Sequence, residues 1–353
     1  MKTSMRRCLL ALLFASLVLL VVASCSFQAS QSSAPKQLVK VRVAVQSSAS
    51  DGAIFIALDK GYFKQEGLDV ETINFSSASE MIPALSTGQV EVAGIGGNAA
   101  TLNAVAHEIG IKAVADKGST GPGFGYLALM IRKDIMDSGK FKDFSDLKGL
   151  KIALTPPLDG TANAIDLDKA LKKGGLTSKD VSTVMLSFQD MGAAFAGKSI
   201  DAAIAIEPAV TQIVAKGLAV RWKGIDEIYP GQQISVINYS PKFIKEMPAQ
   251  AKAFMVAYLK GARDYNDAFV KNKNKQEIAT ILTKYTSIKD PAVFEKIVPA
   301  GINPDGYLNI QALKDDQDWY FAKGKIAQKI DIDSFVDHQY VDYALQKLGK
   351  YSK

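Results

Sequence analysis

The residue types that usually carry catalysis are scarce here and poorly spaced for it. The chain has two histidines, His107 and His338, and two cysteines, Cys8 and Cys25, none of them at the short spacing of a metal-ligand pair. There is no Gly-x-Ser-x-Gly elbow. The adjacent carboxylates Asp315 and Asp316 fall in a polar helical stretch and read as solvent-facing. General acid–base chemistry needs groups that converge. No enzymatic activity, metal or cofactor is therefore expected.

What the sequence offers instead is hydrogen bonding from short polar segments. Residues 46–52 carry Ser47, Ser48 and Asp51, and 94–98 end in Gly97 and Asn98. Residues 116–125 hold Ser119 and Phe124, with Tyr126 next to them, while 155–163 supply Thr155, Asp159, Thr161 and Asn163. Phe188, Gln189 and Asp190 follow, then Glu207 ahead of Pro208; Phe55 and Tyr239 lie beside the same segments. Several segments open a helix, whose first N–H groups have no internal partner and can hold carbonyl, carboxylate or sulfonate oxygens. These residues form the candidate ligand-binding set. Each also has a plainer role. Asp51, Asn98 and Thr161 suit helix caps, Glu207 can cap or bridge, and the aromatics can pack in a core. The glycines of 118–125 are followed by no Gly-Lys-Ser/Thr, so a phosphate loop is excluded.

The elements that must position these segments alternate in type. Val39–Val45 is β-branched with period two and predicts a strand. Helix follows at 53–65, strand at 68–74, helix at 79–87, strand at 90–95, helix at 98–107 and strand at 111–115. After an extended stretch at 126–132 the pattern returns, with strands at 151–154, 181–186 and 202–205. Helices at 161–173, 190–196 and 208–216 lie between and after them. Residues 234–239 are extended, and the remainder is mainly helical. Strands alternating with helices predict parallel sheets with right-handed crossovers. The fold class expected is α/β, two lobes joined by crossings near 125–132 and 232–240. Lobe 1 takes 38–128 and 237–353, and lobe 2 takes 129–236. Ligands of open α/β sheets bind beyond the carboxyl ends of the strands, where the polar segments fall.

The first residues carry Lys2, Arg6 and Arg7 without an acid, then an apolar run from Cys8 to Ala23, the layout of a secretory signal over 1–24. Val22-Ala23-Ser24-Cys25 resembles the lipobox of bacterial lipoproteins, which implies cleavage before an acylated Cys25. Residues 25–37 are polar and read as a lipidated flexible tether. Loss of the signal brings the formal charge from +6 to +3 and removes Cys8, leaving no disulfide. The lysines are scattered among acids rather than gathered in a stripe, so no nucleic-acid partner is expected. The expected location is the outer face of the cytoplasmic membrane.

Ala57 to Glu71 (ALDKGYFKQEGLDVE) is similar to a signature of periplasmic binding proteins of the nitrate/sulfonate/taurine and thiamine-pyrimidine (NMT1/THI5-like) group. Segments 84–92, 146–152, 170–176 and 201–208 support the likeness in the family's order. The resemblance implies a two-lobed periplasmic-binding-protein type II fold, each lobe a doubly wound sheet. It also implies the role of receptor for an ABC importer, passing a small molecule to a permease with a cytoplasmic ATPase. The pyrimidine-forming relatives use a cysteine-rich motif that this chain lacks. Of the arginines beyond the signal, Arg42, Arg132, Arg221 and Arg263, none falls in a candidate segment, and Lys117 is the one cation that does. Compact anions favour such cations, whereas hydroxyls, amides and aromatics suit a neutral heteroaromatic. The expected cargo is riboflavin or a thiamine-type pyrimidine; the alternative is a small oxyanion such as an aliphatic sulfonate, taurine or nitrate.

Overall fold

The computed structural model describes residues 37–158, 160–286 and 288–352. The expected signal peptide, Cys25, nearly all of the expected tether, and Asp159 lie outside the described residues. The strands are β1 (Val39–Val45), β2 (Leu68–Asn74), β3 (Val92–Ile95), β4 (Lys112–Ser119), β5 (Leu127–Arg132), β6 (Lys151–Leu154), β7 (Ser182–Met185), β8 (Ala202–Ile206), β9 (Ala219–Gly224) and β10 (Gln233–Tyr239). They form two five-stranded sheets, ordered β2-β1-β3-β10-β4 and β7-β6-β8-β5-β9.

Sequence character explains the placements. In β1, Val41, Val43 and Val45 are buried on one face and Lys40 is exposed, as the period-two pattern requires. β8 is Ala-Ala-Ile-Ala-Ile and buried throughout, because it lies at a sheet centre covered on both faces. β9 has no counterpart among the expected elements, since Arg221, Trp222 and Lys223 interrupt its apolar alternation.

Each sheet contains one strand that runs against its neighbours, where sequence pattern predicted parallel strands. β10 is antiparallel to β3 and β4, and β5 is antiparallel to β8 and β9. The cause is the route of the chain. A strand that arrives from the other lobe enters at the carboxyl ends of its new neighbours and must run back along them. β5 and β10 accordingly belong wholly to the lobes they enter, and the backbone passes between sheets at 120–126 and 225–232. The two passages are tied together: Thr120 N donates to Gln232 O at 3.0 Å, and Thr120 Oγ1 donates to Tyr229 O at 2.9 Å.

The helices that matter for the site are α1 (Gly52–Asp59), α2 (Ala99–Ala106), α3 (Ala162–Lys173), α4 (Phe188–Ala196), α5 (Ala209–Ala215), α6 (Pro248–Phe269) and α7 (Ile310–Ala322). The helix expected over 53–65 is broken at Gly61, whose φ of +71° few other residues adopt. α6 opens with a proline in its first turn, where no N–H is needed. It buries Ala251, Phe254, Met255, Tyr258, Leu259, Ala262 and Tyr265 at helical spacing. Each of the larger ones stabilises the fold by roughly 1.5–3 kcal/mol. Gly261 lets α6 press on α1, because a Cβ there would strike the Ala53 carbonyl. That contact anchors α1, and with it the preceding polar segment. No helix among the described residues is long and apolar enough to cross a membrane.

Candidate functional site

Ser48, Asn98, Thr155, Thr161 and Asn163 come together at the carboxyl ends of the strands, around a cavity of about 80 Å³. Gly97 and Phe188 also line it. A wider pocket of about 470 Å³ shares Gln46, Ser48, Phe188 and Ile206 with it and adds Ser47 and Gln189. Both sheets therefore contribute, as the position of the polar segments predicted.

The lining is built by local capping. Asn98 caps α2, its Oδ1 accepting from Thr101 N at 2.9 Å. Thr161 stands at the start of α3 in extended conformation, with its hydroxyl unbonded and buried. The N–H groups of Ala162 and Asn163, in the first turn of α3, have no partner within the helix. Asn163 Nδ2 donates to Ile204 O, which ties α3 to β8. The lobes touch here: Ala99 N donates to Gly160 O at 3.1 Å.

The floor centres on Lys117, which the sequence places in a loop and the structure places in β4. The strand runs on to Ser119, so the Lys117 side chain points into the cavity wall. Its ammonium lies 2.8 Å from Asp51 Oδ1 and 2.8 Å from Ser50 Oγ, with Ser235 Oγ at 3.3 Å. The ammonium thus donates to two hydroxyls and is paired in charge with the carboxylate. The ion pair is buried on both sides, and its net charge is zero. Asp51 Oδ2 accepts from Ser48 N, Ser48 Oγ and Gln46 N, which folds the 46–51 segment around the carboxylate. Gly94 must lack a side chain, because the Lys117 stem crosses its Cα.

Other candidates lie elsewhere. Asp51 serves the loop rather than the cavity. Phe55 is on the far side of α1, stacked on Tyr285 with ring centres 5.1 Å apart. Ser119 Oγ donates to Gly301 O, and Phe124 packs beside Gly301, both away from the cavity. Tyr126 is fully buried behind Gly118, and burial pushes its hydroxyl well above the ordinary range. Asp190 turns back to accept from Ser187 Oγ at 2.6 Å. Tyr239 is at the wrong end of its sheet. β10 is antiparallel, so its last residue faces Val92 and Lys112 at the amino ends of β3 and β4. There Tyr239 packs on Phe243, Phe254 and Tyr340 and donates to Ala251 O.

Glu207 bridges rather than lines. Its Oε2 accepts from Thr211 N at 3.0 Å in α5, its Oε1 from Val298 N, and its carbonyl from Ala49 N. Burial pushes this carboxyl up, opposed by the Thr211 and Val298 bonds.

Several lining residues were outside the candidate set, chiefly Gln46, Ser50, Lys117, Ser235, Asp316 and Tyr320. Asp316 corrects a specific expectation: it is 4% exposed, on the buried face of α7. Lys117 had a signal, as the one cation in the polar segments. Asp316 had none, because its neighbours Lys314, Asp315 and Asp318 make the helix look polar on every side. Among the described residues no cluster of His, Cys, Asp or Glu could hold a metal.

A family model described as NMT1/THI5 like matches residues 50–267. A Bacillus subtilis (strain 168) protein, named provisionally as an aliphatic sulfonates-binding protein, is 26% identical over 326 residues, 88% of this chain and 90% of the relative. The periplasmic nitrate-binding protein NrtA from Synechocystis PCC 6803 has a TM-score of 0.73 at 18% identity, with 89% of this chain and 90% of that one covered. The ligand-binding component of an ABC-type import system from Staphylococcus aureus has a TM-score of 0.70 at 15% identity, covering 87% and 99%. The fold they share with this chain is the two-lobed type II fold expected from the sequence.

Proposed function

This chain belongs to the NMT1/THI5-like family, and we propose that it is the solute receptor of an ABC importer, taking a small oxyanion of the aliphatic sulfonate kind. In this reading it passes the anion to a membrane permease driven by a cytoplasmic ATPase. Cys25 moors it by lipid to the outer face of the cytoplasmic membrane, with residues 25–37 as the tether. The name of the Staphylococcus protein supports the importer role, and that of the Bacillus protein supports the sulfonate.

The observation that carries the oxyanion is the way Lys117 fixes hydroxyls on the cavity floor. Because its ammonium donates to Ser235 Oγ, the Ser235 hydroxyl proton is left to point elsewhere, and Ser235 lines the cavity. The unbonded Thr161 hydroxyl and the first N–H groups of α3 add donors on the opposite wall. A sulfonate presents three oxygens to such a set and needs no arginine.

This cargo replaces the vitamin expected from the sequence. That expectation relied on candidate aromatics to flank a ring, but of the five only Phe188 lines the cavity, joined by Tyr320; Phe55, Phe124, Tyr126 and Tyr239 do not. Closure then follows from ligand bonds that span both lobes and so favour the closed form. Melting the protein with ethanesulfonate, nitrate, riboflavin and hydroxymethylpyrimidine tests the reading. A ligand at a hundred times its Kd stabilises by about 2.7 kcal/mol, and ethanesulfonate should do so. A rise with riboflavin or the pyrimidine alone would overturn it.

A further inference from the structure

Two spaces of different chemistry meet at Phe188. The cavity that holds the hydroxyl set measures about 80 Å³, and the pocket beside it about 470 Å³. They share Gln46, Ser48, Phe188 and Ile206, so one molecule can extend from the first into the second. The smaller contains the donors, among them the buried Thr161 hydroxyl that has no partner. An apolar cavity of about 150 Å³ holds one benzene. The smaller space therefore has room for an oxyanion head and little more. The larger falls within the usual size of a ligand pocket, roughly 300–1,000 Å³.

The larger pocket is a slot between α4 and α5. Gly192, Ala193 and Ala196 line it from α4, on one helical face, and Ala209 and Ile213 line it from α5. The slot is open because these side chains are small: a Cβ on Gly192 would meet only Ile213, at 3.7 Å. None of the five carries a polar side chain, and in the body of each helix the backbone groups bond one another. Gln189 and Lys216 also line the slot, but both are exposed and keep their polar ends in water. An apolar group is stabilised there by leaving water, whereas polar ring edges find few partners. Phe188 is half-buried and supplies an aromatic ring at the junction.

We infer that the slot between α4 and α5 is a subsite for an apolar aromatic ring, and that the ligand is therefore an arenesulfonate. The inference rests on the oxyanion reading for the other end of the ligand. The sulfonate takes the donors around Ser235, Thr161 and α3, and the ring passes Phe188 into the slot. Nitrate and short alkanesulfonates leave the slot unfilled and forgo its contribution. A flavin or a pyrimidine, with polar ring edges, is poorly matched to the same walls.

Calorimetric titration of the full chain in detergent with ethanesulfonate, cyclohexanesulfonate and benzenesulfonate tests this. Benzenesulfonate should bind at least about ten-fold tighter than ethanesulfonate, the lower end for an added carbon in an apolar pocket. Gly192→Leu fills the slot and puts a better helix former in α4, so the fold is kept. In that variant the preference should collapse while ethanesulfonate binds as before. Phe188→Leu should weaken benzenesulfonate more than cyclohexanesulfonate, which has six carbons but no π face. Equal binding of ethanesulfonate and benzenesulfonate, or a preference that survives Gly192→Leu, overturns the subsite and leaves the oxyanion reading standing. Equal losses of the two ring sulfonates in Phe188→Leu overturn its aromatic assignment. If no sulfonate binds, both readings fail together.

Discussion

Lys117 Nζ and Asp51 Oδ1 lie 2.8 Å apart, with side chains 2% and 0% exposed. A pair so placed organises the site without giving it net charge. Removing one partner leaves the other buried alone, which costs about 3–5 kcal/mol. Asp51→Asn should therefore lower stability by that order and free the 46–51 segment. Replacing both residues, Lys117→Met with Asp51→Leu, should recover much of the stability but not ligand affinity. Urea denaturation and calorimetry check the two quantities separately. Recovery of affinity in the double variant would contradict the role given to Lys117.

Gly94 tests the same junction from the other side. A methyl group there meets the Lys117 stem, which cannot retreat without leaving Asp51. Gly94→Ala should cost about 1–3 kcal/mol, the usual range for overpacking, and weaken ligand binding. Unchanged affinity would show that the floor does not depend on where Lys117 lies.

Asp168 joins the lobes at their edge. Its carboxylate accepts from Trp319 Nε1 at 2.9 Å and from Lys323 Nζ at 2.8 Å, so α3 is held to α7. Burial works against its charge, but hydrogen bonds from Lys172, Lys323 and Trp319 hold the carboxyl down to about 2. This contribution is present above the ordinary carboxylate range and is lost as pH falls towards 2. Asp168→Asn should favour the open form and speed ligand release by about ten-fold, equivalent to ~1.4 kcal/mol. Trp319 reports the change directly if Trp222, half-buried against Phe141 and Phe144, is replaced by Phe. A Trp319 spectrum that does not respond to Asp168→Asn would contradict the latch.

Asp316 gives a pH dependence of opposite sign. Burial raises its carboxyl to about 7, against bonds from Tyr229 and Gln232. From about pH 4 to 7 the native chain holds a proton that the unfolded chain has lost. The stability this brings is full below pH 4 and declines as pH rises to 7. Without ligand, Asp316→Asn should therefore lose less melting temperature between pH 5 and 8 than the unsubstituted protein. Equal slopes would contradict the assignment.

How far the sequence reaches is shown by these residues. The strand–helix alternation and the ends at which ligand segments gather follow from local pattern, and Ser48, Asn98, Thr155, Thr161 and Asn163 line the cavity because capping residues at strand ends are locally determined. Tyr239 was beyond reach, since only chain routing reverses β10 and sends its end away from the site. Glu207 reads equally as cap, bridge or ligand until the position of Val298 is known. Asp316 is hidden for the same reason: its burial is decided by packing against another lobe, not by the residues beside it.

The proposed lipid mooring makes its own prediction. Cys25→Ala should abolish acylation and leave the receptor free of the membrane, while ligand binding is unaffected. Fractionation followed by mass spectrometry of the N-terminal peptide measures this. An unmodified Cys25 in membrane-bound protein would contradict the proposal.

The central claim is that a small sulfonate occupies the cavity between the lobes. Native mass spectrometry of the full chain, isolated gently from its own host, tests it most directly. The account predicts a co-purifying ligand with the mass of a small sulfonate, released by Asp168→Asn. A retained flavin or pyrimidine would contradict it.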